Sequence, residues 1–299
     1  MFENISYEKC LTRMRDVSWV LDDIFPENQK VGLEIPFLPS SLVFISQEIS
    51  FLTSQQLLSL NHVSTYSYLH FFYFLEEFIV AKANQFGYFA STHNEQQAMS
   101  NFSVEEVKHQ FLFLRVKHAI KDGLGFTPMV VNMEKEVTKQ LMEISNIAAL
   151  LFILHFEIIT QDHYLNCIKS DAELEPVIVK VLKHHWMEEC QHANLDYLML
   201  ESIIDKTNKE DQVLAIEAYV DCIKSLKPVF ALQAGFDIDN LECLQKVTFS
   251  SEQRKLLEAN QQHIYENIFI AMALNNQHFQ KARTALFGSL SSIFPDQIS

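Results

Sequence analysis

The sequence predicts an all-α fold, with four long helices in the core and shorter helices around them. Two observations carry this. The 299 residues include only 6 Gly and 7 Pro, well under the average usage of about 7% and 5%. Tight turns depend on those residues, so a β-sandwich or barrel is disfavoured. Between residues 53 and 206, apolar residues also recur at helical spacing in four stretches separated by turn or capping signals. The composition, 48% apolar and 20% charged, suits a soluble chain with a sizeable core and argues against disorder.

Residues 1–52 are interrupted by Pro26, Pro36 and Pro39, which predicts short helices and extended segments there. Thr53-x-x-Gln56 has the form of a capping box. The first long helix runs from it to about residue 85, with Gly87 as its terminator. A second spans about 94–121 and stops at Asp122-Gly123-Leu124-Gly125. Thr127-Pro128 has the N-cap and N1 chemistry of a further helix start. The third long helix covers about 145–168. Ser170-Asp171 separates it from the fourth, about 172–206, whose opening turn accommodates Pro176. Beyond it, 209–234 reads as helical with a kink or break at Pro228, 251–280 as another long helix and 282–294 as a short one. No linker or composition shift divides the chain, so 1–299 is expected to form a single domain.

The net charge is −15, and an acidic surface repels phosphate backbones, so nucleic acid is not an expected partner. No basic cluster suggests an anionic membrane either. The most apolar stretch, 147–159, contains His155 and Glu157 and falls short of the roughly 20 residues of a membrane span. The N-terminal residues lack the pattern of a signal peptide. Cys10, Cys167, Cys190, Cys222 and Cys243 are scattered and odd in number, as expected of reduced, mostly buried thiols. The expected location is the cytoplasm.

Several acidic residues fall on apolar helix faces. In the first long helix, Leu58, Leu69, Phe72, Val80 and Ala83 share the side of Glu76, while Ser67 and Gln85 lie opposite, with Ser64 and Lys82 near them. Glu77 sits about 100° round the helix. Phase favours Glu76 as the inward residue, and the choice between Glu76 and Glu77 stays open. In the third helix, Glu157 shares a stripe with Leu150, Ile153, Leu154 and Tyr164, whereas His155, Asp162 and His163 fall on other faces as ordinary polar residues. Buried carboxylates are rare unless paired or bound to metal.

The second and fourth helices each hold Glu-Glu-x-x-His: Glu105-Glu106-Val-Lys-His109 and Glu188-Glu189-Cys-Gln-His192. Residues i and i+3 share a helix face, so one Glu and one His can meet the same ion. A single match is weak, because the chain has 12 His and short motifs arise by chance. Two matches, each following a helix with an inward Glu, form a pattern. His185 adds a third inward group to the fourth helix, on the stripe of Glu189 and His192. Two lone Glu plus two Glu-x-x-His is the donor set of ferritin-like di-metal bundles. The candidate ligands are therefore Glu76, Glu106, His109, Glu157, His185, Glu189 and His192. Oxygen and imidazole donors suit two Fe, with Mn as the alternative. Four carboxylates also balance two divalent ions, and would repel one another without them. Glu105 and Glu188 are placed to accept the outer N–H of a ligand His on the facing helix. Asp196 is a further candidate for this outer shell. No catalytic side chain is assigned beyond the ligands.

At LEEFIV around Glu76, EEVKH ending at His109, the isolated Glu157 and HWMEECQH from His185 to His192, the chain resembles the p-aminobenzoate N-oxygenase family. The resemblance spans about residues 50–205. It implies a di-iron ferritin-like oxygenase that uses O₂ to oxidise an aryl amine toward hydroxylamine, nitroso or nitro products, with electrons from an external donor. His185 matches the family's seventh ligand. Phe72, Tyr73 and Phe113 are expected to wall the site from water. Three other readings share the scaffold: a di-metal hydroxylase acting on a C–H bond, a ferritin, which stores metal and does not need His185, and a ribonucleotide reductase small subunit, whose radical Tyr would fall where Phe113 stands. The helices after residue 206 are left to close the pocket or to make a homodimer interface.

Overall fold

The computed structural model describes residues 2, 4–43, 49–132 and 141–295. Before residue 52 the chain forms α1 (Tyr7–Val17), α2 (Leu21–Ile24) and α3 (Ser40–Val43) with irregular segments between them, as the prolines predict. Thr53 then caps α4 (Ser54–Tyr88), and the reciprocal Thr53–Gln56 bonds of the capping box are both present. This helix ends one residue past Gly87. A Cβ at Gly87 would stand 3.2 Å from Met99 Cβ, so the glycine lets α4 and its successor approach closely. Thr92 caps that successor, α5 (His93–Leu124), and Gly125 closes it in the left-handed region at φ 74°, as helix ends require.

Residues 127–132 are not helical, contrary to the expectation at Thr127-Pro128; residues 133–140 lie outside the described residues. Side chains of a later helix satisfy this backbone instead. Met129 N–H donates to Asn240 Oδ1, Val131 N–H donates to Gln233 Oε1, and Met129 C=O accepts from Asn240. With those groups paired, the segment has no need of helical hydrogen bonds.

The third long helix is α6 (Asn146–Asp162), capped by Ser145, and it passes directly into a π-helical stretch, His163–Ile168. The fourth is α7 (Pro176–Ile204), with Pro176 at its start and the Glu175 carboxylate accepting from Ile178 N–H at 2.9 Å. α8 (Lys209–Gln245) runs unbroken through Pro228. Pro228 and Lys224, whose carbonyl loses its helical donor, are both exposed, so water can reach that carbonyl. The predicted 251–280 helix is divided. α9 (Ser251–Glu266) leads into a π-helical turn, Asn267–Ala271, then α10 (Met272–Asn275) and α11 (Gln277–Phe287). The break falls at Asn276, whose side chain caps α11 by accepting from the N–H groups of His278 and Phe279. A 3₁₀ turn over Gly288–Ile293 follows.

α4 pairs with α5, and α6 with α7, while α5 also meets α7. These four make the bundle, and the fold is all-α and ferritin-like. α8 packs against both α4 and α6, α9 lies along α8, and α1 rests on α5 and α7. This outer layer explains a difference from the helical-wheel reading. Ser64, Ser67 and Lys82, placed opposite Glu76, are buried too. α6 is buried at every residue from Ile147 to Gln161. Among the described residues no helix is long and apolar enough to cross a membrane, and there is no strand. Only Cys10 of the five thiols is buried; Cys243 is exposed and the other three are half-buried, so the expectation of mostly buried cysteines does not hold.

Candidate metal centre

Helical spacing brings the acidic and imidazole groups to the bundle axis. Glu76 on α4, Glu106 and His109 on α5, Glu157 on α6 and His185, Glu189 and His192 on α7 are each 2% exposed or less. Glu77 is exposed, which leaves Glu76 as the inward residue.

Two four-residue groups have donor atoms close enough to share an ion: Glu76, His109, His185 and Glu189, and Glu106, His109, Glu189 and His192. His109 and Glu189 belong to both, and Glu106 also has an oxygen toward each of His109 and His192. Glu189 Oε1 lies 3.1 Å from His109 Nδ1 and 2.5 Å from His185 Nε2, while its Oε2 lies 2.8 Å from His192 Nδ1. Glu106 Oε2 lies 3.4 Å from His109 Nδ1 and its Oε1 2.6 Å from His192 Nδ1. Glu76 Oε1 faces His185 Nε2 at 3.1 Å. Glu157 stands outside both groups, its Oε2 3.9 Å from His192 Nδ1.

The outer ring nitrogens are held across the bundle in a reciprocal way. His109 Nε2–H donates to Glu188 Oε2 at 2.8 Å, and His192 Nε2–H donates to Glu105 Oε2 at 2.9 Å. A carboxylate can only accept, so each Nε2 carries a proton, while each Nδ1 faces Glu106 and Glu189 and is open to a metal once it carries none. Glu188 is itself bound by Lys108 Nζ at 2.5 Å. Asp196 does not share this arrangement: it is fully buried, yet neither oxygen has a hydrogen-bond partner.

An inward imidazole lone pair facing carboxylate oxygens is unfavourable unless a cation lies between them. Burial disfavours charge on His109, but Glu189, Glu106 and Glu188 outweigh it and drive its pKa well above the usual range. Burial also opposes charge on His192, and Glu106, Glu189 and Glu105 override it in the same way. For His185 burial wins, and its pKa is lowered. Burial, reinforced by Glu189, Glu106 and Asp196, pushes Glu157 well up. Burial would raise Glu189 as well, but His185, His192 and His109 hold it well down. Glu76 Oε2, Glu106 Oε1, Glu189 Oε1 and both oxygens of Glu157 are buried without a hydrogen-bond partner. Buried carboxylates in that condition call for a metal or for protons. The donors present fit a pair of divalent ions with oxygen and nitrogen preference.

The model of the p-aminobenzoate N-oxygenase AurF family matches residues 52–240, more than half of the chain. The chain belongs to this family. The AurF-family match begins at the cap of α4 and extends some way past the roughly 50–205 span of the motifs, into most of α8. No match is found among curated proteins. The family is one of di-iron oxygenases, and its match covers all seven of the clustered side chains.

Aromatic rings enclose the imidazoles. Phe113 meets the His185 ring edge-on at 4.8 Å and Phe72 does so at 5.7 Å. Tyr73 is not part of this wall; it is half-buried and turned toward Lys117, whose Nζ is 5.6 Å from its ring centre. Sequence reading missed three neighbours. Phe102 packs on His192 with ring centres 4.3 Å apart, and its place four residues before Glu106 was the available signal. Trp19 stacks on His109 at 6.0 Å, and Lys108 Nζ lies 3.8 Å above the Trp19 ring. Trp19 precedes α2 in an irregular segment, where no periodicity marks it. His155 and His163, read as ordinary polar residues, are fully buried and paired. His155 contacts Tyr219 Oη and Phe269 C=O, and His163 contacts Tyr68 Oη and Ile268 C=O.

Proposed function

We propose that the chain is a di-iron oxygenase that uses O₂ to N-oxygenate an aryl amine. The observation that carries the metal reading is the convergence of buried carboxylate oxygens on inward imidazole nitrogens. Membership of the AurF family supports the aryl amine as substrate. Glu76, His109 and His185 would hold one Fe, and Glu157 and His192 the other. Glu106 and Glu189, each with one oxygen near His192 and the other near His109, would help to hold both; Mn is the alternative metal. The bound pair supplies the redox chemistry with O₂.

The chain's own groups prepare that chemistry. Glu105 and Glu188 fix the His192 and His109 tautomers, keeping each Nδ1 free for a metal. Lys108 neutralises Glu188 and so keeps this carboxylate an acceptor. His185 would offer an additional nitrogen donor on the Glu76 side. Phe72, Phe102 and Phe113 keep water from the imidazoles. An external electron donor is part of this reading. The reading treats 1–299 as one domain, acting on a small molecule in a reducing cytoplasm, consistent with the unbridged thiols. It is tested by elemental analysis, then anaerobic reduction and O₂ exposure with p-aminobenzoate. Iron binding with hydroxylamino, nitroso or nitro products is the expected result. Iron binding with oxidation at carbon would overturn the aryl amine part alone.

A further inference from the structure

We propose that Tyr68 and His163 form a proton-coupled redox pair, a second one-electron site next to the metal cluster. The inference rests on the metal reading for its physiological oxidant, though not for its geometry. Tyr68 is 2% exposed and His163 1%. The Tyr68 oxygen lies 2.8 Å from His163 Nδ1, and His163 Nε2 lies 3.0 Å from Ile268 C=O. A carbonyl only accepts, so Nε2 carries the ring proton and Nδ1 is a bare acceptor. Tyr68 O–H therefore donates to Nδ1. Burial holds the His163 pKa down to about 3, which keeps that acceptor vacant.

The location gives this hydrogen bond its meaning. His163 opens one π-helical stretch and Ile268 lies in the other. Such turns are rare and recur at functional sites; here the two meet around one imidazole. Phe72 lies one helical turn from Tyr68 and one turn from Glu76. Its ring centre is 4.8 Å from that of Tyr68 and 5.7 Å from that of His185. An unbroken ring contact thus leads from a proposed ligand to the phenol. Tyr219 and His155 form a hydrogen bond of the same design, also 2.8 Å, with His155 Nε2 on Phe269 C=O. From Tyr219 the ring contacts reach the cluster by a longer series, His155, Phe156, Phe269 and Phe72, against the single Phe72 between Tyr68 and His185. Tyr219 serves as an internal control.

The step balances within the protein. Tyr68 gives one electron to the oxidised metal pair, and its hydroxyl proton crosses to His163 Nδ1. The products are a neutral tyrosyl radical, an imidazolium held by Ile268 C=O, and a metal pair reduced by one electron. Return of an electron and the same proton restores the phenol. Because no proton has to reach water, a buried pair can cycle. Its role is to draw off an oxidising equivalent when no amine is present, which spares the ligand side chains.

The test is electron paramagnetic resonance on reduced, iron-loaded protein freeze-quenched after O₂ mixing without amine. A tyrosyl signal is expected, narrowed by ring-deuterated tyrosine, at least tenfold weaker in Tyr68→Phe and unchanged in Tyr219→Phe. No signal, or one that survives Tyr68→Phe, overturns the proposal. In metal-free protein, ¹⁵N NMR should show His163 protonated at Nε2, with the Nδ1 resonance shifted in Tyr68→Phe. A proton on Nδ1 overturns the pair. If the protein binds no iron, the function proposed above fails by itself. The pair is then decided by flash oxidation of metal-free protein with tris(bipyridine)ruthenium(III), through the same Tyr68-dependent signal or its absence.

Discussion

Two buried polar clusters lie on opposite sides of α4, and they are finished to different degrees. On the α8–α9 side, Asp237 is fully buried, and both its oxygens are occupied. Oδ1 accepts from Ser67 at 2.6 Å and Gln233 at 2.9 Å, while Oδ2 accepts from Tyr265 and from Gln261. On the α5–α7 side, Glu76 Oε2 and both oxygens of Glu157 have no donor, and Glu106 Oε1 and Glu189 Oε1 face only imidazole nitrogens of the cluster. Natural interiors pair their polar groups, and the Asp237 carboxylate is fully paired, although Gln261 Oε1 beside it is not. The second cluster is complete only with something positive added. The contrast locates the function more sharply than acidity or burial alone, since both clusters are acidic and both are buried.

The largest effect that would break this contrast is on metal content. Glu106→Ala and His192→Ala should each reduce iron from about two per chain to near zero by elemental analysis, because Glu106 faces both halves of the cluster. Asp237→Ala should leave iron content unchanged. Chelation should also destabilise the wild type. A ligand present at 1,000 times its Kd contributes about 4 kcal/mol, readable as a fall in Tm.

Next in size is the acid behaviour of Asp237. Burial, only partly offset by its four donors, raises its pKa from 3.8 to about 6. A carboxyl whose folded pKa lies above its unfolded value loses stability as pH rises between the two. The stability of wild type relative to Asp237→Asn should therefore fall by about 2 kcal/mol from pH 4 to pH 7, at up to about 1.4 kcal/mol per unit. Parallel urea titrations check it, and a flat difference would contradict it.

Smaller effects belong to the outer carboxylates. Glu188→Gln and Glu105→Gln should each weaken metal binding about 10–100-fold, as competition with a chelator would measure. Each should disturb mainly its own histidine, His109 or His192. The smallest change is Glu77→Ala, expected to leave iron unchanged and stability within about 0.5 kcal/mol. Loss of iron in that variant would reverse the assignment of Glu76.

Much of the site was legible because its signals are local. Glu-x-x-His lies within one helical turn, and the Thr53 capping box needs four residues. Helix phase alone separated Glu76 from Glu77. What escaped depends on distant partners. Ser64 and Ser67 read as a polar face because nothing in α4 announces that α8 and α9 cover it. The segment at Thr127-Pro128 carries helix-start chemistry, yet Gln233 and Asn240, more than a hundred residues later, satisfy its backbone. The partners of His155 and His163 are carbonyls of a π-helical turn, and π turns leave no periodic mark in a sequence. Asn276 caps a helix in the middle of a stretch whose apolar spacing runs on without interruption.

Trp19 has a consequence of its own. It lies over His109 and, with Lys108, Glu105, Met14 and Arg15, lines a surface cleft of about 490 Å³. The family match starts at residue 52, so Met14, Arg15 and Trp19 lie outside the matched region while Glu105 and Lys108 lie within it. The outer covering of His109 is thus assembled jointly by the N-terminal arm and the bundle that holds the inner donors.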